Sequence, residues 1–229
     1  MNRPGLVAFP DRDAAAEAAT DRIAEALKTD GARSLVVTGG GTPGPVYDRL
    51  SRLDLSWDRI TVTLSDDRWV DPSRPESNER LLRERLFVGR AAAAGFLPLK
   101  GDGPTPDADA AAAEPRIAAL MPFAAVLLGL GNDGHVASLF PGAPRLGEDL
   151  DPEGPRLCVG VAMSGLEPFL PRVSLTVRAL LGTTRILLLA TGDEKRLIVE
   201  RTLDDPSYDP PVAALLRQDR TPVSVLWAP

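Results

Sequence analysis

One cysteine, Cys158, and one histidine, His135, are all that this chain of 229 residues offers of the two residue types most used to hold zinc. A lone cysteine cannot form an intramolecular disulfide, which fits a reducing compartment. The same scarcity excludes a Cys/His zinc cluster of the usual kind, and no metal site is expected. No apolar run is long enough to span a bilayer, and Met1-Asn2-Arg3-Pro4-Gly5 lacks a signal-peptide core. A cytoplasmic protein without membrane contact is therefore expected. Basic residues are also in short supply, 26 against 32 acidic, for a net charge of −6. With no basic stripe along the chain, nucleic acid is not an expected partner. An acidic chain that binds an anion must build a local positive site against its own field, so arginines and lysines in candidate loops are informative.

What is present is ordinary for a folded protein, with 44% hydrophobic and 25% charged residues, enough for a sizeable core. A helix capped by Asp13 runs to about Thr29, with Ala16, Ala19, Ile23, Ala26 and Leu27 on one face and Glu17, Asp21 and Glu25 on another; Gly31 ends it. Buried strands are expected at Ser34–Thr38, Ile60–Leu64, Ala124–Leu128, Arg185–Ala190 and Val223–Trp227, with a further one at Val173–Thr176. Helices are expected at Pro43–Leu53, Asn78–Phe87, Asp107–Leu120 and from Gly192 to about Leu203. Gly101–Asp109 and Gly142–Pro155 read as surface loops. Strands that are apolar throughout and alternate with helices predict one α/β domain over residues 1–229, a doubly wound, mainly parallel sheet with helices on both faces. Sites in such sheets form beyond the carboxyl ends of the strands. Four strand ends carry marked loops: Gly39–Thr42, Asp66–Arg68, Gly129–His135 and Gly192–Lys195.

The third of these, in LLGLGNDGHVASLFPG, has the Gly129-x-Gly131-x-x-Gly134 outline of a dinucleotide turn. That turn needs a long helix behind it and an acidic residue about 20 positions on. Pro141 ends any helix here after about two turns, and Asp149 and Asp151 lie in a Pro/Gly-rich loop, so the nicotinamide reading is disfavoured. The same loop presents His135, a capable general base near neutrality, with Asp133 placed to orient it. A helix-capping or core histidine is the equal alternative on local sequence. Gly39-Gly40-Gly41-Thr42-Pro43 leads from a strand into a helix, where backbone N–H groups and the helix end favour an oxyanion; no Gly-Lys-Ser/Thr follows, so it is not a P-loop. Lys195 sits in the first turn of a helix, where the macrodipole disfavours a cation, so an anion shared with that helix end explains it better than a surface position. Arg68 reads either as a bidentate ligand for a substrate oxygen or as a surface pair with Asp66 or Asp67. Arg172 reads as a further cation of the site or as an exposed strand-edge arginine.

Assembled, these loops resemble the 6-phosphogluconolactonase family. The matches are Gly39–Pro43, Asp66–Val70 with Ser77-Asn78, Gly129–Pro141, Arg172–Thr176, and a Gly-x-x-Lys ending at Lys195, in family order over most of the chain. Gly41 stands where the family usually has Ser, which bears on one phosphate contact, and Asp67 stands in place of Glu. The resemblance implies an isomerase/deaminase-like, Rossmann-like fold, no required cofactor, and hydrolysis of 6-phospho-D-glucono-1,5-lactone. It places the phosphate on Gly39, Gly40, Gly41, Thr42, Arg172 and Lys195, and the chemistry on His135, Asp133, Arg68 and Asp66. The partner is then a small sugar-phosphate lactone, and a monomer is the expected state, with a dimer as the alternative. Glucosamine-6-phosphate deaminase is the nearest rival, but the acidic residue that such enzymes carry in an Asn-Glu-Pro-like extension has no counterpart in Ser138-Leu139-Phe140-Pro141. A sugar-phosphate sensor is a second rival; sensors of that kind ride on a DNA-binding domain, for which residues 1–12 leave no room.

Overall fold

The computed structural model describes residues 4–28, 33–163 and 170–229. Seven strands form the main sheet: β1 (Gly5–Ala8), β2 (Ser34–Val37), β3 (Thr61–Leu64), β5 (Gly95–Leu97), β6 (Ala125–Gly129), β9 (Ile186–Thr191) and β10 (Val223–Ala228). Their order is β1-β10-β9-β6-β2-β3-β5, and every neighbouring pair is parallel. A second, antiparallel sheet joins β4 (Asp66–Arg68), β8 (Arg172–Leu175) and β7 (Cys158–Val161), in that order. The helices are α1 (Arg12–Lys28), α2 (Gly44–Leu50), α3 (Asn78–Arg85), α4 (Pro106–Leu120), α5 (Leu146–Leu150), α6 (Val177–Leu181), α7 (Asp193–Asp204) and α8 (Ala213–Leu216).

The expected α/β fold with a parallel sheet is what the chain adopts. Successive side chains of a strand point to opposite faces, so a strand buried at every position is covered on both. Ser34, Leu35, Val36 and Val37 of β2, and Ala125 to Leu128 of β6, are all buried. From β2 the chain moves to β3 and β5 on one side, then returns with β6 on the other side of β2 and continues to β9 and β10. The crevice at this reversal, beyond the carboxyl ends of β2 and β6, is where ligands bind in open α/β sheets. Both of the strongest loops of the sequence emerge there.

α1 packs against β6, β9, β10 and α2, through Ala15, Ala16, Ala19, Ile23, Ala26 and Leu27. Burying Ile23 completely is worth about 1.5–3 kcal/mol. The cap of α1 is Asp11, whose Oδ1 accepts the Ala14 N–H at 2.8 Å. Asp13, the expected cap, instead takes a guanidinium N–H of Arg49 at 2.6 Å. The expected stop at Gly31 lies outside the described residues.

Three segments depart from expectation. Asp66–Arg68 is a short strand paired with β8, not a loop. Gly142–Pro155 contains α5. After Gly134 the short helix expected up to Pro141 is absent: the chain makes bends closed by a bridge between Val136 and Leu139, with Ala137 at φ 50°. Helical geometry gives way here because Ser138 is held by tertiary bonds. Its N–H donates to Ser174 Oγ at 3.1 Å, and its Oγ donates to Asp66 Oδ2 at 2.6 Å.

Candidate active site

The glycine loop after β2 is set from below. Tyr47 of α2, fully buried, donates its hydroxyl to Thr38 O and accepts the Thr38 N–H at 3.1 Å. Burial, helped by the Asp66 carboxylate, holds its phenol well above the usual tyrosine range. The strand exit is thereby pinned to the helix it feeds. Gly40 then turns at φ 92°, a left-handed conformation that side chains other than glycine rarely adopt. Pro43 precedes the first helical residue of α2, and Gly39–Pro43 line the cleft.

The loop after β6 is tighter. Gly131 N donates to His135 O at 2.9 Å and Gly134 N to Gly131 O at 3.0 Å. Gly134 sits at φ 80°, and a Cβ there would come within 2.5 Å of Pro210, so the C-terminal segment fits against bare backbone. Within this loop Asp133 Oδ1 lies 2.5 Å from His135 Nδ1 and also accepts the His135 N–H at 3.1 Å. Burial pushes the Asp133 carboxyl up, but its bonds to His135 outweigh that and hold it below the ordinary range. An ionised carboxylate only accepts, so it places the imidazole proton on Nδ1 and leaves Nε2 as the free lone pair. His135 is partly exposed and lines the cleft. Of the helix-capping or core alternative that the local sequence left open, a core position does not fit this exposure.

Asp66 and Arg68 reach the cleft from β4. Asp66 is buried, with Oδ1 accepting from Ser65 Oγ at 2.9 Å and Oδ2 from Ser138 Oγ. It ties β4 to the histidine loop. Asp67 faces the other way and is 3% exposed. It accepts N–H groups of Arg68, Asn78 and Glu79 at 2.7, 2.6 and 3.1 Å, closing the N-terminus of α3. Burial outweighs these bonds and raises its carboxyl to about 6. The Arg68 guanidinium pairs with neither aspartate. It donates to Glu76 O at 2.7 Å and to Asn78 Oδ1 at 3.4 Å, and its Nε is buried without a partner.

Arg172 lies directly opposite Arg68 across the β4–β8 pair. Like charges so placed repel. Burial, and then the nearby Arg68, lower the Arg172 pKa, and its Nε also has no partner. Lys195, the third residue of α7, is half-buried; burial and Arg12 lower its pKa. Among the described residues, Arg68, Arg172 and Lys195 make no ion pair. All three line one open cleft of about 280 Å³ together with Gly39, Gly40, Gly41, Thr42, Asp66 and His135. The structure thus brings together every site residue picked from the sequence; Asp133 stands behind the ring of His135.

Sequence reasoning gave no role to the residues that hold these in place, although they lie in the segments matched to the family. Asn78 donates Nδ2 to Asp66 O at 2.8 Å while facing Arg68. Ser174 secures the histidine loop through Ser138. Phe140 packs its ring 4.4 Å from that of His135 and 5.2 Å from the Arg172 guanidinium carbon. Ser174 was accessible in principle, since residues two apart on a strand share a face and Arg172 had been singled out. Ser138 and Phe140 carried no local signal of their own.

Fold and cleft define an α/β protein in which two arginines and a lysine line one cleft with a histidine–carboxylate pair. Residues 11–227 match the family described as glucosamine-6-phosphate isomerases/6-phosphogluconolactonase, and the chain belongs to it. It is 46% identical to a 6-phosphogluconolactonase of Caulobacter vibrioides, over 97% of each chain. It is 38% identical to one of Rhizobium meliloti, over 96% of this chain and 97% of that one. Among solved structures it is similar to a 6-phosphogluconolactonase from Shewanella baltica, with a TM-score of 0.91 and 33% identity, over 100% of this chain and 99% of the other.

Proposed function

We propose that this protein hydrolyses 6-phospho-D-glucono-1,5-lactone to 6-phospho-D-gluconate, the lactonase step of the oxidative pentose phosphate pathway. The observation that carries the reading is the cleft itself: three cations that make no ion pair among the described residues line it together with one imidazole whose Nδ1 is already engaged. The N–H groups of Gly39–Thr42, with Lys195 and Arg172, anchor the phosphate. That positions the far end of the sugar, the lactone carbonyl, by His135. His135 Nε2 takes a proton from water as the water oxygen attacks C1. Arg68 stabilises the oxyanion that develops on the carbonyl oxygen. When the C1–O5 bond breaks, the imidazolium returns the proton to the departing ring oxygen, so water is consumed and the base is regenerated. Asp133 keeps the productive tautomer, and Asp66 orients the histidine loop through Ser138. A lactone is already activated toward water, so general-base help of about 10²–10⁴-fold suffices.

The deaminase alternative requires a second acidic side chain in the segment after His135. The ring there meets Phe140, and Asp133 is the carboxylate it bonds. The test is an assay on freshly generated lactone, corrected for spontaneous opening, with wild type and His135→Ala. Turnover by the wild type that falls by about 10²–10⁴-fold in the variant supports the reading. Undiminished turnover in the variant removes His135 from the role, and ammonia release from glucosamine 6-phosphate by the wild type would replace the reading.

A further inference from the structure

Nothing bonds the base of the cleft directly to its anion-gripping cations. His135 is held by its own loop, and Arg172 stands on β8 with its Nε unpartnered. One side chain touches both. The Phe140 ring, 5% exposed, lies against the imidazole, tilted at 48° with centroids 4.4 Å apart, and the Arg172 guanidinium carbon is 5.2 Å from its centroid. Its own position is set firmly: Ser138 and Leu139 just before it are tied to Asp66, Ser174 and Val136. An aromatic ring is rigid, and its face attracts a guanidinium.

We infer that Phe140 is a positioning residue that couples the anion grip to the base: its ring sets both where the Arg172 guanidinium stands and how the His135 imidazole is turned, and so sets the span between phosphate and reacting carbonyl. This rests on the proposed lactonase reading for its meaning in catalysis, but not for the coupling itself. A plain core residue at this position would contribute to stability and to neither group. The charged groups around His135 are Asp133 on its own loop, Asp66 and Arg68 from β4, Arg172 from β8 and Lys195 from α7; Phe140 leaves that set unchanged, so its replacement tests geometry and packing.

The sole histidine makes the test clean, because its imidazole resonances titrate without overlap from another. Phe140→Leu keeps apolar volume and loses the ring, whereas Phe140→Tyr keeps the ring. Inorganic phosphate is the probe for the grip and the imidazole titration is the probe for the base; neither needs turnover. In Phe140→Leu, phosphate is expected to bind about two- to fivefold more weakly, and the His135 titration midpoint is expected to move. On the lactone, kcat is expected to fall roughly 10–100-fold through misplacement of the base. Phe140→Tyr is expected to restore all three. A Phe140→Leu protein with wild-type phosphate affinity and wild-type imidazole titration overturns the inference, even if its melting temperature drops. A wild type that turns over no lactone removes the proposed function, while the phosphate and imidazole measurements still decide the coupling.

Discussion

Two populations of cation differ sharply in this molecule. Over the surface, Arg49, Arg145, Arg156, Arg185 and Arg196 each hold a carboxylate, at 2.6 to 3.0 Å. In the cleft, Arg68, Arg172 and Lys195 are half-buried and hold none among the described residues. Exposed ion pairs contribute little, about 0–1 kcal/mol, because water already solvates both partners. Partly buried cations without partners are costly, and they persist where an external anion completes them. On the proposed reading, the cleft holds charge in reserve for the substrate phosphate, at the expense of the ligand-free fold.

The largest expected effect comes from removing a reserved charge. Arg172→Met should lower kcat/KM for the lactone by roughly 10²-fold or more, the scale for losing one partner of a desolvated charge pair. Arg185→Ala, at the opposite end of β9 and paired with Glu25, should leave kcat/KM unchanged and cost under about 1 kcal/mol. Equal losses in both variants would erase the distinction. Next, inorganic phosphate at about a hundredfold its Kd should stabilise the wild type by about 2.7 kcal/mol in thermal unfolding, and stabilise Arg172→Met far less. A phosphate effect that survives intact in the variant would place the anion elsewhere.

The carboxylate behind the site sharpens the contrast from the other side. Asp67 has its carboxyl raised by burial to about 6. Because the folded value lies above the unfolded one, its contribution to stability is complete below the unfolded pKa of about 3.9 and is lost as pH rises through 6. Unfolding free energy measured from pH 4 to 7 should therefore carry a downward contribution of roughly 2–3 kcal/mol. An Asp67→Asn variant should lack that slope, whatever its absolute stability; the same slope in both would assign it to another group. The smallest activity effect is a gain. A Cβ at Gly41 meets nothing within 4 Å, and its φ is not in the left-handed range. Gly41→Ser should fit without strain and, by adding one hydroxyl donor to the loop, tighten phosphate binding about two- to tenfold. Weaker binding would mean that the loop does not face the anion in this way. For the ligand-free fold, Arg172→Met should be neutral or stabilising, because it relieves repulsion with Arg68 and removes an unsatisfied nitrogen.

How far the site was legible depended on where its signals lay. Strands β2, β6, β9 and β10 announced themselves as continuous apolar runs, because they are covered on both faces. β1 and β5 went unread: they are edge strands, half-exposed, and too short for a pattern. β7 was hidden for a similar reason, in a segment of mixed character after a Pro/Gly-rich stretch. The glycine loops and the cations were visible because glycine runs and a lysine at a helix start are locally unfavourable unless something uses them. The supporting residues had no such mark. The family resemblance takes in Ser138, Ser174 and Asn78, but what each of them does became visible only when the fold brought β4, β8, α3 and the histidine loop together.

From its amino-acid order alone, this protein's parallel α/β sheet and the glycine loops at its strand ends were determined, since each rests on periodicity or on residues expensive in their local context. Only the tertiary structure decided that Asp66 is tied into a buried hydroxyl network, that Asp67 closes a helix end, that no helix follows Gly134, and that Phe140 touches both His135 and Arg172. Those outcomes depend on hydrogen bonds and ring contacts between residues up to 72 positions apart. Such contacts leave no trace in any short window of sequence, because their energy exists only once the chain has closed on itself.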